Sequence, residues 1–549
     1  MQSALAGTVS PTKPQLKNTI WMKSFKLEMK KITKLAVKTK GWRSNSRKPL
    51  IEENNNGTQD GHDQAGTGYD NPSTHNNLNT DKEQRLQGEQ QSEQQSEDQI
   101  TPQEQERYEY EHFPKLPADV EQNLYPHLLK VQETVHNRLV RLGPLLQSTE
   151  LIERYHRQTF DHLDDLLQNV SSPQNSLMLM KWVLHTYLSQ ELLGSPLFQK
   201  MDPIKKVDLL LLTEWTTRAE DKLIQNVQKE VRRYMENILQ YEKSKEAHNE
   251  LYVDTIQCIA AMPEEAHKIS TKLSHHVQEV CFQELLVFLG SYSAKQTEIL
   301  EKEAEMVKPE MKHFFTTLNN CKELKQHVQT KTNDITTSLL NETVKTLENL
   351  EAFTLKLLME IVADIAERHL KKYFKSENNE FYLLIDAVQC HFSELSGFPD
   401  IQKGVMDDTY KLIAHIYLKH LIEISLKKLK RNWSHDDVGQ KVAKDAELLH
   451  DTISDLAPDV RQCNLMLLKV KELLDCKCPE ATKMTVAGMQ QECYTYSLSE
   501  DLELLPALLR WKGLPRRQIR DVQSVLEDVP GYQVKTRSAS WCCCISGED

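Results

Sequence analysis

From about residue 113 onward, apolar side chains recur every three or four positions. The cleanest run is Leu340, Val344, Leu347, Leu350, Phe353, Leu357, Ile361 and Ile365, which at about 100° per residue falls on one side of a cylinder. This spacing predicts a helix over 336–374. The same pattern predicts helices over 121–140, 149–169, 177–192, 205–243, 247–260, 264–305, 308–329, 380–395, 402–430, 438–454, 458–475 and 499–510. Breaks fall at Gly143-Pro144, Ser172-Pro173, Ser195-Pro196, Met262-Pro263, Gly397-Phe398-Pro399 and Leu514-Pro515, where glycine and proline interrupt the helical pattern. Ser499 and Pro203 fit helix starts. No fixed period of 34 to 45 residues recurs, which argues against solenoid repeats, and no heptad persists over the whole region. The expectation is an all-α fold, an elongated rod of stacked antiparallel helical bundles behind a disordered N-terminal region. Its bundles are expected at 113–245, 246–375 and 376–535, followed by a cysteine-containing tail at 536–549.

Two segments ahead of the bundles read differently. In residues 1–50, Trp21, Phe25, Met29, Ile32 and Leu35 share one helical face, and Lys23, Lys26, Lys30, Lys31, Lys34 and Lys38 take the other. This stretch holds twelve Lys/Arg against the single acid Glu28, in a chain of formal net charge -12. Such a helix suits an anionic membrane interface, rings among acyl chains and ammonium groups against headgroups, at roughly 1 kcal/mol per lysine. Trp21, Lys23, Phe25, Lys26, Lys30, Lys31, Lys34 and Lys38 are therefore candidate membrane-binding residues. A solvated tail, a calmodulin-type target helix and a mitochondrial presequence share the pattern, the last normally preferring arginine and serine. Residues 51–112 invert the charge, with fifteen Asp/Glu against Lys82, Arg85 and Arg107, and are rich in Asn, Gln, Gly and Ser. With few large apolar side chains, this stretch is expected to be a flexible acidic linker.

Length and composition add bounds. The 549 residues are too many for one compact core and suggest roughly three to four units of domain size. The eleven cysteines form no disulfide framework, no secretory signal is evident, and no stretch reaches the roughly 18–20 apolar residues of a spanning helix. A cytoplasmic protein, peripheral at the plasma membrane, is expected. In the tail "RSASWCCCISGED", the run Cys542, Cys543 and Cys544 beside Trp541 is a candidate for S-acylation, which with the basic helix would give two membrane signals; three exposed free thiols are the plain alternative.

Chemistry is poorly represented. No phosphate-binding loop, dinucleotide fingerprint, zinc-protease motif or nucleophile elbow occurs, so neither catalytic residues nor a cofactor are expected. Cys476, Cys478 and Cys493 lack zinc-ligand spacing, and His275-His276 and His415/His420 do not share a helix face, so no metal is expected. The acid pairs Asp407-Asp408 and Asp436-Asp437 are expected at helix starts, where carboxylates cap free N–H groups. Trp182, Trp215, Trp433 and Trp511 are expected as packing anchors. Two basic runs, Lys427, Lys428, Lys430, Arg431 and Lys512, Arg516, Arg517, Arg520, read either as solvated helix faces or as a patch for lipid or an acidic partner. Nucleic-acid binding is not expected, because the helical region is not basic overall and has no recognisable module.

Three stretches, "LLLLTEWTTRAEDKLIQNVQKEV" (209–231), "HFFTTLNNCKELKQHVQ" (313–329) and "WKGLPRRQIRDVQSVLED" (511–528), resemble the Sec6-like family of exocyst complex component 3 and its relatives. The resemblance covers roughly 115–530. It implies a helical rod of the kind found in multisubunit tethers, with roles in exocytosis, contact with SNARE proteins and association with exocyst subunits. For the branch with the closest likeness it further implies binding of a Ral-type small GTPase through the C-terminal part, phosphoinositide binding through an N-terminal basic segment, and formation of plasma-membrane protrusions. A purely soluble assembly scaffold without membrane contact is the competing expectation.

Overall fold

The computed structural model describes residues 113–142, 149–189, 191–194, 202–241, 251–330, 335–375, 378–433, 437–495 and 499–527. Among the described residues the regular structure is entirely helical, without a strand. Two compact units divide at Thr217/Arg218.

The first unit holds α1 (Val120–Leu142), α2 (Thr149–Asn169) and α3 (Pro173–Lys181), which continues as a π-helical turn at Trp182–Tyr187. A 3-10 turn at Pro203–Lys206 follows, and α4 (Leu209–Tyr241) begins in this unit. Leu124, Leu128, Val131, Val135 and Leu139 recur at helical spacing on α1 and are buried, as are Phe160, Leu163 and Leu166 on α2. An aromatic cluster fills the middle, with Phe160 edge-on to Tyr187 and Trp215 at centroid distances of 6.0 and 6.1 Å, and Trp182 stacked on Tyr187 at 5.8 Å. Glu121, in the first turn of α1, ties that turn to the start of α3. Its carboxylate accepts the Ser171 and Ser172 amides and the Asn175 side-chain amide. Burial alone would raise this carboxyl, but these hydrogen bonds outweigh it and hold it below its ordinary value.

His156 is fully buried beside that aromatic cluster. Its Nε2–H donates to the Pro203 carbonyl at 3.0 Å and its Nδ1 accepts from the Tyr187 hydroxyl at 2.6 Å, a tautomer that uses both ring nitrogens while neutral. Burial pushes its pKa down to about 4, with the Pro203 bond opposing.

The second unit takes the rest of α4 and then α5 (Leu251–His267), α6 (Thr271–Ala304), α7 (Met311–Gln329), α8 (Thr337–Tyr373), α9 (Glu380–Phe392) and α10 (Pro399–Glu423). These are followed by α11 (Leu426–Asn432), α12 (Val438–Leu456), α13 (Leu465–Asp475), α14 (Pro479–Thr495), α15 (Ser499–Lys512) and α16 (Arg516–Glu527). The long α8 is the hub, packing on α6, α7, α9 and α10. Its periodic apolar stripe explains this: Leu347, Leu350, Leu358, Ile361 and Val362 are buried. Beyond α10, the chain packs α12 on α13, α13 on α14, and α14 on α16. Arg232 grips Glu284 through two hydrogen bonds of 2.8 and 2.9 Å, with Gln228 adding a third at 2.8 Å, which locks α4 to α6.

Local expectations needed correction at several points. Pro263 lies inside α5 and the break comes at Lys268–Ser270, where the Ser270 hydroxyl caps the Leu273 amide at 3.1 Å. The Pro263 carbonyl accepts from Ser274 at 2.9 Å. The stretch expected as one helix over 402–430 is divided at the extended Ile424. Asp407 and Asp408 lie within α10 rather than at a helix start. There Asp407 accepts the Arg461 amide at 3.2 Å and Asp408 pairs with Lys411 at 3.6 Å. Asp437 does cap α12, accepting the Gly439 amide at 2.9 Å. Helices α14 and α16 had no counterpart in the periodicity reading.

Candidate functional site, a basic surface on the second unit

The membrane-binding candidates Trp21, Lys23, Phe25, Lys26, Lys30, Lys31, Lys34 and Lys38, and the acylation candidates Cys542, Cys543 and Cys544, lie outside the described residues. Within the described residues, the two internal basic runs carry exposed cations, and a tertiary hydrogen bond links the chain beside one run to the chain beside the other. The Trp511 indole Nε1–H donates to the Ile424 carbonyl at 2.7 Å, across 87 residues of sequence. That carbonyl belongs to the residue that ends α10, immediately before α11, so the hydrogen bond sets the end of α15 against the start of α11.

Several contacts hold this corner. Gly513 adopts a φ of +104° after α15, with its amide on Arg510 and the Leu514 amide on Leu509, a left-handed helix stop that turns the chain into α16. On the other side, Asn432 donates to the Phe374 and Lys375 carbonyls at 3.4 and 2.9 Å, tying the end of α11 to the end of α8. Trp433 packs at centroid distances of 5.6 Å on both Tyr373 and Phe374, and the Lys441 ammonium sits 5.5 Å over its ring. Beneath them, Asp445 accepts from the Tyr373 and Tyr417 hydroxyls at 2.5 and 2.7 Å, joining α8, α10 and α12. Burial, reinforced by that carboxylate, raises both phenols well above their ordinary value.

On this frame Leu429 is the fully buried residue of α11, while Lys427, Lys428, Lys430 and Arg431 are exposed. Arg510, Arg516, Arg517 and Arg520 are exposed on the α15–α16 side, and Lys371 and Lys375 at the end of α8. Lys512 departs from the group. Its ammonium donates to the Cys476 carbonyl at 2.9 Å, and burial lowers its pKa, so it serves the packing of α15 on the segment between α13 and α14.

Some of this charge has a local explanation. Lys371, Lys430, Arg431 and Arg510 are in the last turns of their helices, where cations complement the negative end of the helix dipole. Lys427, Lys428, Arg516 and Arg517 are in first turns that contain no acid, the wrong end for a cation, at about 0.3–1 kcal/mol each. Neither "LKKLKRN" nor "LPRRQIR" carries an acidic residue. Chemically, the surface offers charge and hydrogen-bond donors to an anionic partner, but no paired nucleophile and base.

The tryptophans are packing residues, as expected: Trp182, Trp215 and Trp433 are fully buried, and Trp511 is 9 % exposed. Periodicity did not disclose a cluster of metal-ligand type at the α6–α7 turn, where His313 stands 4.0 Å from Glu303 and 3.5 Å from the exposed Glu310. Glu303 also accepts the Glu310 amide at 3.2 Å, so the group closes the turn as a polar cluster. Among the described residues no helix is long and apolar enough to cross a membrane.

Comparison with known proteins converges on one family. The family profile described as exocyst complex component Sec6 matches residues 148–509, well over half of the 549. Tumor necrosis factor alpha-induced protein 2 of Mus musculus is 21 % identical over 401 residues, which is 70 % of this chain and 57 % of that protein. Its Homo sapiens counterpart is 21 % identical over 452 residues, 77 % of this chain and 67 % of that protein. Exocyst complex component 3 of Drosophila melanogaster is 21 % identical over 338 residues, 57 % of this chain and 45 % of that protein. The chain thus spans about half to two thirds of the length of these relatives. The crystal structure of M-Sec superposes with a TM-score of 0.57 at 18 % identity, covering 78 % of this chain and 77 % of that one, a likeness of fold.

Proposed function

Because the chain belongs to the exocyst complex component Sec6 family, we propose that it acts as a non-enzymatic tethering scaffold in exocytosis and plasma-membrane protrusion, with exocyst subunits among its partners. The observation that carries this reading is the coincidence of the family match over 148–509 with the all-helical region, whose buried apolar stripes are structural and whose exposed faces are free for partners. SNARE proteins and a Ral-type small GTPase are the further partners proposed, the GTPase meeting the C-terminal part of the helical region. The basic segment 1–50 is proposed to hold the protein on a phosphoinositide-bearing leaflet of the plasma membrane from the cytoplasmic side, since twelve cations against one acid favour an anionic surface.

Proximity labelling with the intact chain tests the scaffold reading, and the expected outcome is enrichment of exocyst subunits. Flotation with phosphoinositide vesicles tests the membrane reading. Replacing Lys30, Lys31 and Lys34 together by Glu should release the protein from vesicles, and removing residues 1–50 should redistribute it in cells. Unchanged flotation and distribution would replace the membrane reading by that of a soluble assembly scaffold.

A further inference from the structure

We propose that Glu303, Glu310 and His313 bind a divalent first-row metal ion, zinc by their donor set, which clamps the end of α6 to the start of α7. The site is separate from the tethering role and does not depend on it.

The first argument is placement. Glu303 lies in the last turn of α6, Glu310 directly precedes α7, and His313 is in the first turn of α7. Glu310 and His313 are three residues apart, so they share a helix face, and the turn returns Glu303 to that face. One ligand atom from each residue, two carboxylate oxygens and an imidazole nitrogen, lie within 4.8 Å of one another. Both helices pack on α8, and Leu300, Met311 and Phe314 are buried at the same two helix ends, so packed elements hold the ligands in place.

The second argument is spacing. Three other histidines close directly on a glutamate: His276, His369 and His420 stand 2.8, 2.8 and 2.6 Å from Glu220, Glu380 and Glu367. His313 stands off. Its Nε2 is 3.5 Å from Glu310 and 4.0 Å from Glu303, beyond the roughly 2.7–3.2 Å of a hydrogen bond. Ligand atoms at about 2.0–2.1 Å from a tetrahedral zinc are about 3.3 Å from each other. The imidazole and the Glu310 carboxylate are separated by close to that span, and a small rotation of Glu303 completes it.

The third argument is charge. The C-terminal end of a helix is its negative pole. The last turn of α6 nonetheless carries Glu301 and Glu303, with Glu305 at its cap, and the cation of that turn, Lys302, pairs with Glu298 at 2.6 Å. A divalent ion on Glu303 offsets this excess. One imidazole with two carboxylates suits zinc and its first-row neighbours, whereas magnesium and calcium take oxygen ligands. Three protein ligands leave a position for water. Bound there, the ion fixes the turn between the helices, on which Met306 and Val307 are 58 % and 99 % exposed.

The test uses the full chain, stripped with a chelator, and zinc chloride as the probe. Cysteines elsewhere also take zinc, so the readout is local: modification of His313 by diethyl pyrocarbonate, followed by peptide mass spectrometry. Zinc at about ten times its dissociation constant should slow that modification about tenfold. Glu310→Gln alters a side chain that is 66 % exposed, so it should fold as the parent does and lose the protection. Glu303→Gln should lose it as well. Zinc should raise the melting temperature of the parent more than that of either variant. Modification of His313 at the same rate with and without zinc overturns the proposal. So does protection that survives both glutamine variants, because other ligands then hold the ion. Equal protection by magnesium overturns it too, because the donor set then selects no metal.

Discussion

The interior of the first unit and the basic corner of the second treat ionisable side chains in opposite ways. In the first unit, His156 is buried, neutral and fully hydrogen-bonded, and His162 is likewise pushed down to about 4, by burial and then by its neighbour His127. In the second, lysines and arginines of α11 and α16 stand in water while Leu429, Trp433 and Trp511 take the packing. Burial therefore decides whether a titratable group is a packing element or a charge. The histidines hold their unit together at the expense of acid tolerance, and the exposed cations hold little together and remain available to a partner.

The largest expected effect tests whether the corner depends on its buried anchors. Trp511→Ala should lower unfolding free energy by about 3–5 kcal/mol in chemical denaturation. Trp511→Phe keeps most of the packing, strands the Ile424 carbonyl, and should cost about 1 kcal/mol. If both variants are as stable as the parent, the meeting of the two basic runs is not held by this residue.

The next prediction concerns acid. His156 has a folded pKa of about 4 against an ordinary 6.5, so the unfolded chain takes up its proton first as pH falls. Its contribution is present above pH 6.5 and is lost between pH 6.5 and 4, roughly 3 kcal/mol in all. Melting temperatures at pH 7 and 4.5 measure this, and His156→Gln should flatten the dependence.

A smaller effect is expected beneath the corner. Asp445→Asn weakens two short hydrogen bonds from Tyr373 and Tyr417 and should lower stability by about 1–3 kcal/mol, read by urea titration. The smallest has the opposite sign: Arg516→Glu should stabilise by about 0.3–1 kcal/mol, because an acid replaces a cation at the start of α16. A loss of stability would mean that Arg516 is engaged within the folded protein, and the contrast between the two regions would fail there.

Long periodic stretches were legible from the chain. The reading of 149–169 coincides with α2, and that of 336–374 brackets α8, because a sustained apolar stripe of period 3.6 has one good solution. Short helices were not: α14 has only a weak apolar stripe, and α16, although Ile519, Val522 and Leu526 recur every three or four positions, runs for only twelve residues, and both are helical where neighbouring helices pack against them. Proline misled at Pro263, because it lies near the end of α5, where its missing N–H deprives a single carbonyl, that of Ile259, of its helical donor and the helix runs one further turn to His267. Both basic runs were visible as sequence, but the bond that links the chain beside them was not, since an indole-to-carbonyl contact across 87 residues leaves no local trace. Nor could the chain reveal that Lys512 turns inward while Arg516 and Arg517 do not.

By itself the sequence determined the helical class, the longest helices, the segregation of a basic segment from an acidic one ahead of them, and the family. Each of these follows from residue types and spacings within a few turns, or from similarity along the chain. Tertiary structure alone decided which titratable groups are buried, which cations are exposed, and which distant segments are tied together. Those properties follow from desolvation and from contacts between residues far apart in sequence, and no local pattern encodes either.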